Sequence, residues 1–117
     1  MTINYKSKEI EDICTKRPKA IKHFDEKVFK KLSSIINYIE QATSLLDIIN
    51  YPAYNFHDLE GKKRLNEWSI YIGNTGYRLI LIPQDENSNF IEKGDVIKNC
   101  KMIKIIMITE VCNHYGE

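Results

Sequence analysis

Four side chains of this chain suit proton transfer or phosphate binding: His57, Arg78, His114 and Tyr115. Histidine exchanges protons near neutral pH, and tyrosine can donate a proton or stack on a base. Arg78 interrupts an otherwise apolar run, Tyr77-Arg78-Leu79-Ile80-Leu81-Ile82. A guanidinium there can hold an anion, because its fork of donors matches phosphate oxygens. It can equally be an edge-strand charge that blocks pairing or makes an ordinary salt bridge. Lys62-Lys63-Arg64 follows Gly61 and makes the densest basic run. Such a turn can contact phosphates, or it can be plain solvated surface. Lys16, Arg17, Lys19 and Lys22 form a second basic group, and Lys98, Lys101 and Lys104 a third. His23, beside Phe24 at a helix start, reads as packing or solvent-facing. Nothing in the spacing alone brings His57 and His114 together.

Other chemistries find no support. The five glycines are isolated, and none forms GxGxxG or GxxxxGK[ST]. CxxC and HExxH patterns are absent, so no metal site is expected. Asp85 and Glu86 lie in a polar stretch without a partner for two-carboxylate catalysis. The three scattered cysteines, Cys14, Cys100 and Cys112, suit a reducing compartment better than a disulfide scaffold. No apolar run approaches the ~20 residues of a membrane span, and residues 1–6 lack a signal peptide's apolar stretch. A cytoplasmic protein without membrane contact is the expectation.

The elements that must position these residues fall into two halves within one domain, 1–117. Ser7 is a candidate N-cap for a short helix carrying Ile10, Ile13 and Cys14, which Pro18 ends near Thr15. Asp25 can cap a longer helix with Val28, Leu32, Ile35, Ile36, Ile39 and Ala42 on one stripe. Ser44 can start a third, through Ile49. Trp68, Ile70 and Ile72 then alternate with Ser69 and Tyr71, the signature of a half-buried strand. Gly73-Asn74-Thr75-Gly76 supplies a tight turn, and residues 77–82 return, stopped by Pro83. Phe56 to Leu59 can add a short strand. Residues 83–99 read as a long exposed loop, and Cys100 to Cys112 as a final, centrally placed strand. The expected class is α+β: two or three N-terminal helices packed on a small antiparallel sheet.

The stretch from His57 to Ile72, with Gly61, the basic turn and Trp68-Ser69-Ile70, followed by Tyr77-Arg78-Leu79, resembles the HigB branch of the RelE/ParE toxin superfamily. The resemblance covers most of the chain and is sharpest from His57 to Leu81. It implies a RelE-like fold and the toxin half of a bacterial type II toxin–antitoxin pair. The implied activity is metal-independent, cofactor-free endoribonuclease cleavage of mRNA on the ribosome, through attack by the RNA 2′-hydroxyl. The implied partner is a helix-turn-helix, HigA-like antitoxin. The implied roles are acid/base or orienting work for His57, phosphate binding for Arg78, and RNA contact by Lys62, Lys63 and Arg64. The family's tail commonly reads Asp-Tyr-His with Tyr and His in catalysis. This chain has Asn113-His114-Tyr115, with His and Tyr transposed. The family often has Lys before the glycine, where Glu60 stands here, and Lys62 can restore that charge from the other side. Two alternatives remain: a same-fold toxin that inhibits a protein such as DNA gyrase, and an inactive member that only binds its antitoxin.

The formal net charge of +1 excludes a bulk polycation. A nucleic-acid-binding face then requires segregation. Lys62, Lys63, Arg64 and Arg78 are expected on one face, with carboxylates elsewhere.

Overall fold

The computed structural model describes residues 1–113. The class is α+β, built from five α-helices and a five-stranded sheet among these residues. Four helices precede Pro52: α1 (Lys8–Thr15), α2 (Arg17–His23), α3 (Glu26–Gln41) and α4 (Leu45–Ile49). The caps explain the boundaries. Ser7 accepts from the Ile10 amide at 3.2 Å, and Asp25 accepts from the Val28 amide at 2.9 Å. Pro18 does more than end α1. It occupies the first turn of α2, where its missing N–H has no helical partner to lose. That is why four helices stand where two or three were expected.

The strands are β1 (Thr2–Tyr5), β2 (His57–Asp58), β3 (Trp68–Tyr71), β4 (Tyr77–Gln84) and β5 (Ile105–Asn113), in the order β1-β5-β4-β3-β2. β2 to β5 are antiparallel, and β3–β4 is the expected hairpin. The sheet as a whole is mixed, because β1 runs parallel to β5 with Thr2 opposite Ile105. Four residues without a neighbouring hairpin partner gave β1 no local signal.

One sheet face carries Trp68, Ile70, Leu79, Leu81, Ile106 and Ile108. These join Val28, Leu32, Ile35, Ile36 and Ile39 of α3 in a single core. Cys14 of α1 and Leu45 and Ile48 of α4 complete it.

The segment after Pro83 departs from the expected loop. β4 runs through Pro83 to Gln84, with Pro83 opposite Ile106. β3 reaches only to Leu81, so β4 is an edge on that side at Pro83. The Pro83 carbonyl accepts from Ile91 at 3.0 Å. The absent N–H points to the same edge and costs no ladder bond. Phe90 bridges back to Gln84, and α5 (Lys93–Val96) buries Val96 in the core. Residues 97–102 turn rather than extend, through bonds such as Met102 N–H to the Asn99 carbonyl, so β5 starts at Ile105 and not at Cys100.

Among the described residues, no helix is long and apolar enough to cross a membrane. Cys14 and Cys100 form no disulfide. Burial pushes the Cys14 thiol up to about 12. A thiol-reactive dye at pH 8 should therefore leave Cys14 unlabelled in the native protein and label it on unfolding. Rapid native labelling, located by mass spectrometry, would contradict its placement. Leu32→Ala should cost about 2–5 kcal/mol in a denaturant melt, because Leu32 is fully buried. Lys101→Gln, at an exposed turn, should stay within about 0.5 kcal/mol.

Candidate active site

Period-two alternation sends the other side chains of these strands to the face away from the core. Tyr71 lies opposite Arg78, and Arg78 opposite Cys112. His57 lies opposite Ser69 across β2–β3. Directly paired residues share a face, so His57, Ser69, Tyr71, Arg78 and Cys112 gather at the hairpin end of that face.

The geometry around His57 defines its tautomer. Nδ1 lies 2.6 Å from the Asn55 carbonyl, which can only accept, so Nδ1 carries the proton. Asn55 holds this carbonyl in place from a left-handed backbone conformation (φ +46°) just past the 3-10 turn Pro52–Tyr54. In the neutral ring Nε2 then holds the lone pair, and it faces Arg78 Nη1 at 3.5 Å. That is the outer limit of a hydrogen bond, loose enough for a phosphate oxygen to compete. Tyr71 packs edge-on against the His57 ring, 5.7 Å between centroids. Arg78 is only 6% exposed. Tyr71, Gly73, Asn74, Gly76, Tyr77 and Arg78 line a cleft of about 360 Å³ at this end. Ser69 Oγ is buried on the same face with no hydrogen-bond partner among the described residues.

The basic turn divides. Lys62 and Lys63 are exposed. Arg64 is held by two carboxylates, Glu110 at 2.6 Å and Glu67 at 3.3 Å. Glu67 also accepts from the Thr109 hydroxyl at 2.9 Å. Thr109 sits at the register shift where Ile80 pairs with Glu110 and Leu81 with Ile108. The Arg64–Glu67–Glu110 group thus pins the 59–67 turn onto the β4–β5 bulge. The neighbouring cleft, about 480 Å³, is lined by Lys6, Lys63, Arg64, Phe90 and Met107 among others.

The expected segregation of charge is therefore incomplete on this face. Glu67 and Glu110 neutralise Arg64, and Asp58 adjoins His57. The positive charge beside Asp58 and Leu59 comes from Lys93 of α5. Its ammonium donates to the Leu59 carbonyl and lies 3.9 Å from Asp58. Lys93 gave no signal in a polar stretch read as loop. Tyr71 was legible only as an outward member of the Trp68–Ile72 alternation. His114 and Tyr115 lie outside the described residues. No group of three or more His, Cys, Asp or Glu able to hold a metal occurs among the described residues. The chain matches no protein-family model, and no curated protein matches it with significant similarity.

Arg64→Ala leaves Glu67 buried without its cation. It should lower stability by about 1–3 kcal/mol and loosen residues 59–67 in hydrogen exchange. Unchanged exchange in that segment would show that Arg64 does not anchor it.

Proposed function

We propose that this chain is the toxin of a bacterial type II toxin–antitoxin pair, with a RelE/HigB-like fold, and that it cleaves ribosome-bound mRNA. The observation that carries this reading is the convergence of His57 and Arg78. They lie on different strands, yet Nε2 and Nη1 face each other at 3.5 Å beside an open cleft.

The arrangement suits transesterification of RNA. The 2′-oxygen attacks the adjacent phosphorus, the P–O5′ bond breaks, and a 2′,3′-cyclic phosphate and a 5′-hydroxyl result. The unprotonated His57 Nε2 can take the 2′-hydroxyl proton. The Arg78 guanidinium can stabilise the extra charge on the nonbridging oxygens. The resemblance implies that His114 and Tyr115 take part in catalysis, and either could serve as the acid for the leaving oxygen. The attacking group also explains a preference for RNA, since DNA lacks it. Lys62 and Lys63, exposed at the turn, are available for RNA contact, whereas Arg64 is engaged in its ion pairs. A HigA-like helix-turn-helix antitoxin is the proposed protein partner.

Expression of the chain alone in bacteria should arrest growth and truncate translated mRNAs, read by primer extension. His57→Ala and Arg78→Ala should each relieve arrest and reduce cleavage by about 10²–10⁴-fold. Arg78 is buried, so circular dichroism must accompany that variant, and His57→Gln, at a half-buried position on the edge strand, gives a second reading. Undiminished arrest in folded variants would remove these residues from the mechanism. Intact mRNA with altered plasmid supercoiling would replace cleavage by inhibition of gyrase.

A further inference from the structure

The strongest positive excess of the molecule lies outside the site just described. Residues 16–31 hold seven Lys and Arg against two carboxylates, in a chain whose total is +1. Lys16 is paired with Asp12 at 3.2 Å, and Arg17 with Glu26 at 2.8 Å. Lys19, Lys22, Lys27, Lys30 and Lys31 form no ion pair with any described residue.

Lys27, Lys30 and Lys31 share one face of α3 by their three- and four-residue spacing. They line a shallow cleft of about 450 Å³ with Glu26. The Lys31 stem continues over the β3–β4 turn. A Cβ at Gly73 would stand 2.7 Å from Lys31 Cδ, so any side chain there would push the flexible lysine stem off the turn. Gly73 also takes φ +54°, which favours glycine independently. Lys31 and Gly73 together line a second cleft with Ser34, Tyr51, Ala53 and Tyr54. Gly73 lines the Tyr71–Arg78 cleft as well. The three clefts are thus neighbours in series, the first two sharing Lys31 and the last two Gly73 in their linings.

An aromatic ring stands in this series. Tyr51 is 41% exposed, yet it is held in place. It stacks on Tyr54 at 4.3 Å and meets Tyr38 edge-on at 5.1 Å. Unpaired lysines beside a fixed, exposed ring match what a single-stranded nucleic acid needs: cations for phosphates and a platform for a base. A duplex, with its bases already stacked, would gain nothing from Tyr51.

We infer that α3 and the β3–β4 turn form a single-stranded RNA track leading to the Tyr71–Arg78 cleft beside His57, with Lys27, Lys30 and Lys31 on phosphates and Tyr51 under a base. The direction toward cleavage rests on the proposed function; the track itself does not. The local excess also accounts for nucleic-acid binding by a chain of near-zero net charge.

The test is fluorescence anisotropy of a labelled, single-stranded 2′-O-methyl oligoribonucleotide, which lacks the attacking hydroxyl and is not consumed. Binding is followed between about 50 and 200 mM salt. The triple variant Lys27→Gln, Lys30→Gln, Lys31→Gln should flatten the log–log salt slope by about 2. The matched triple Lys98→Gln, Lys101→Gln, Lys104→Gln, near the opposite end of the sheet, should leave it unchanged. Tyr51→Ala should weaken binding roughly five- to hundredfold with little change in slope. Glutamine suits helices, so α3 should survive the triple change, which a thermal melt verifies.

An unchanged slope in the α3 triple, an equal loss in the matched triple, or a neutral Tyr51→Ala each overturns the track. Equal competition by polyglutamate would assign the surface to an acidic protein and also overturn it. If mRNA stays whole in cells while the lysine and Tyr51 effects appear, the track stands and the cleavage reading falls. If mRNA is cut while these effects are missing, the track falls and cleavage stands.

Discussion

Leu79 and Leu81 must face α3, and strand alternation turns that single demand into the layout of the whole molecule. With these two side chains buried beside Leu32 and Ile39, the intervening positions of β4 have no choice of side. Arg78, Ile80 and Ile82 point the other way. The hairpin register carries the same division to β3, which sets Tyr71 against Arg78. A slip of one residue would bury the guanidinium against the helices and expose the leucines. The hydrophobic core and the chemistry of the outer face are therefore two results of one register.

The outer face is itself organised at two depths. Near the hairpin, Arg78 and His57 meet loosely beside an open cleft. Farther along, Arg64 is locked between Glu67 and Glu110. The locked group is structural in effect. Glu67 is buried and its partners are half-buried, so separating these short-range charges is costly and the 59–67 turn keeps its place over the sheet. Lys93 closes the turn from the other side through the Leu59 carbonyl. The turn is thus held fixed over the sheet beside the place where His57 and Arg78 meet.

The legible parts of the sequence were those whose signals are local. Ser7 and Asp25 cap their helices by bonds to amides three residues on, and the α3 stripe repeats for four turns. The Gly73–Gly76 turn announces its hairpin. Signals that depend on distant partners were weaker. β1 becomes a strand because Ile105–Ile108 lie beside it, a fact no window around Thr2–Tyr5 contains. Pro83 looked like a stop because an edge position is a tertiary property. Pro18 marked a boundary correctly, yet it also opened the next helix. The site shows the same split. Arg78 stood out as a charge in an apolar run, whereas its meeting with His57 required the two-residue ladder of β2 on β3. Arg64 looked free in sequence, and only the fold reveals its carboxylates.

The place of β5 in the sheet has a consequence for how the molecule assembles. This strand pairs on both sides, with β1 and with β4, yet it comes last in chain order among the described residues. Until it docks, β1 has no partner and β4 presents a bare apolar edge. Closing β1 onto β5 joins regions separated by nearly all of the described chain, a long-range contact that slows folding. The helices and the β3–β4 hairpin can form early, but they cannot finish the core alone. Cys112, the neighbour of Arg78, arrives with the same strand. The outer-face cluster therefore depends on the same docking that completes the core: without β5 in place, Arg78 lacks its cross-strand neighbour.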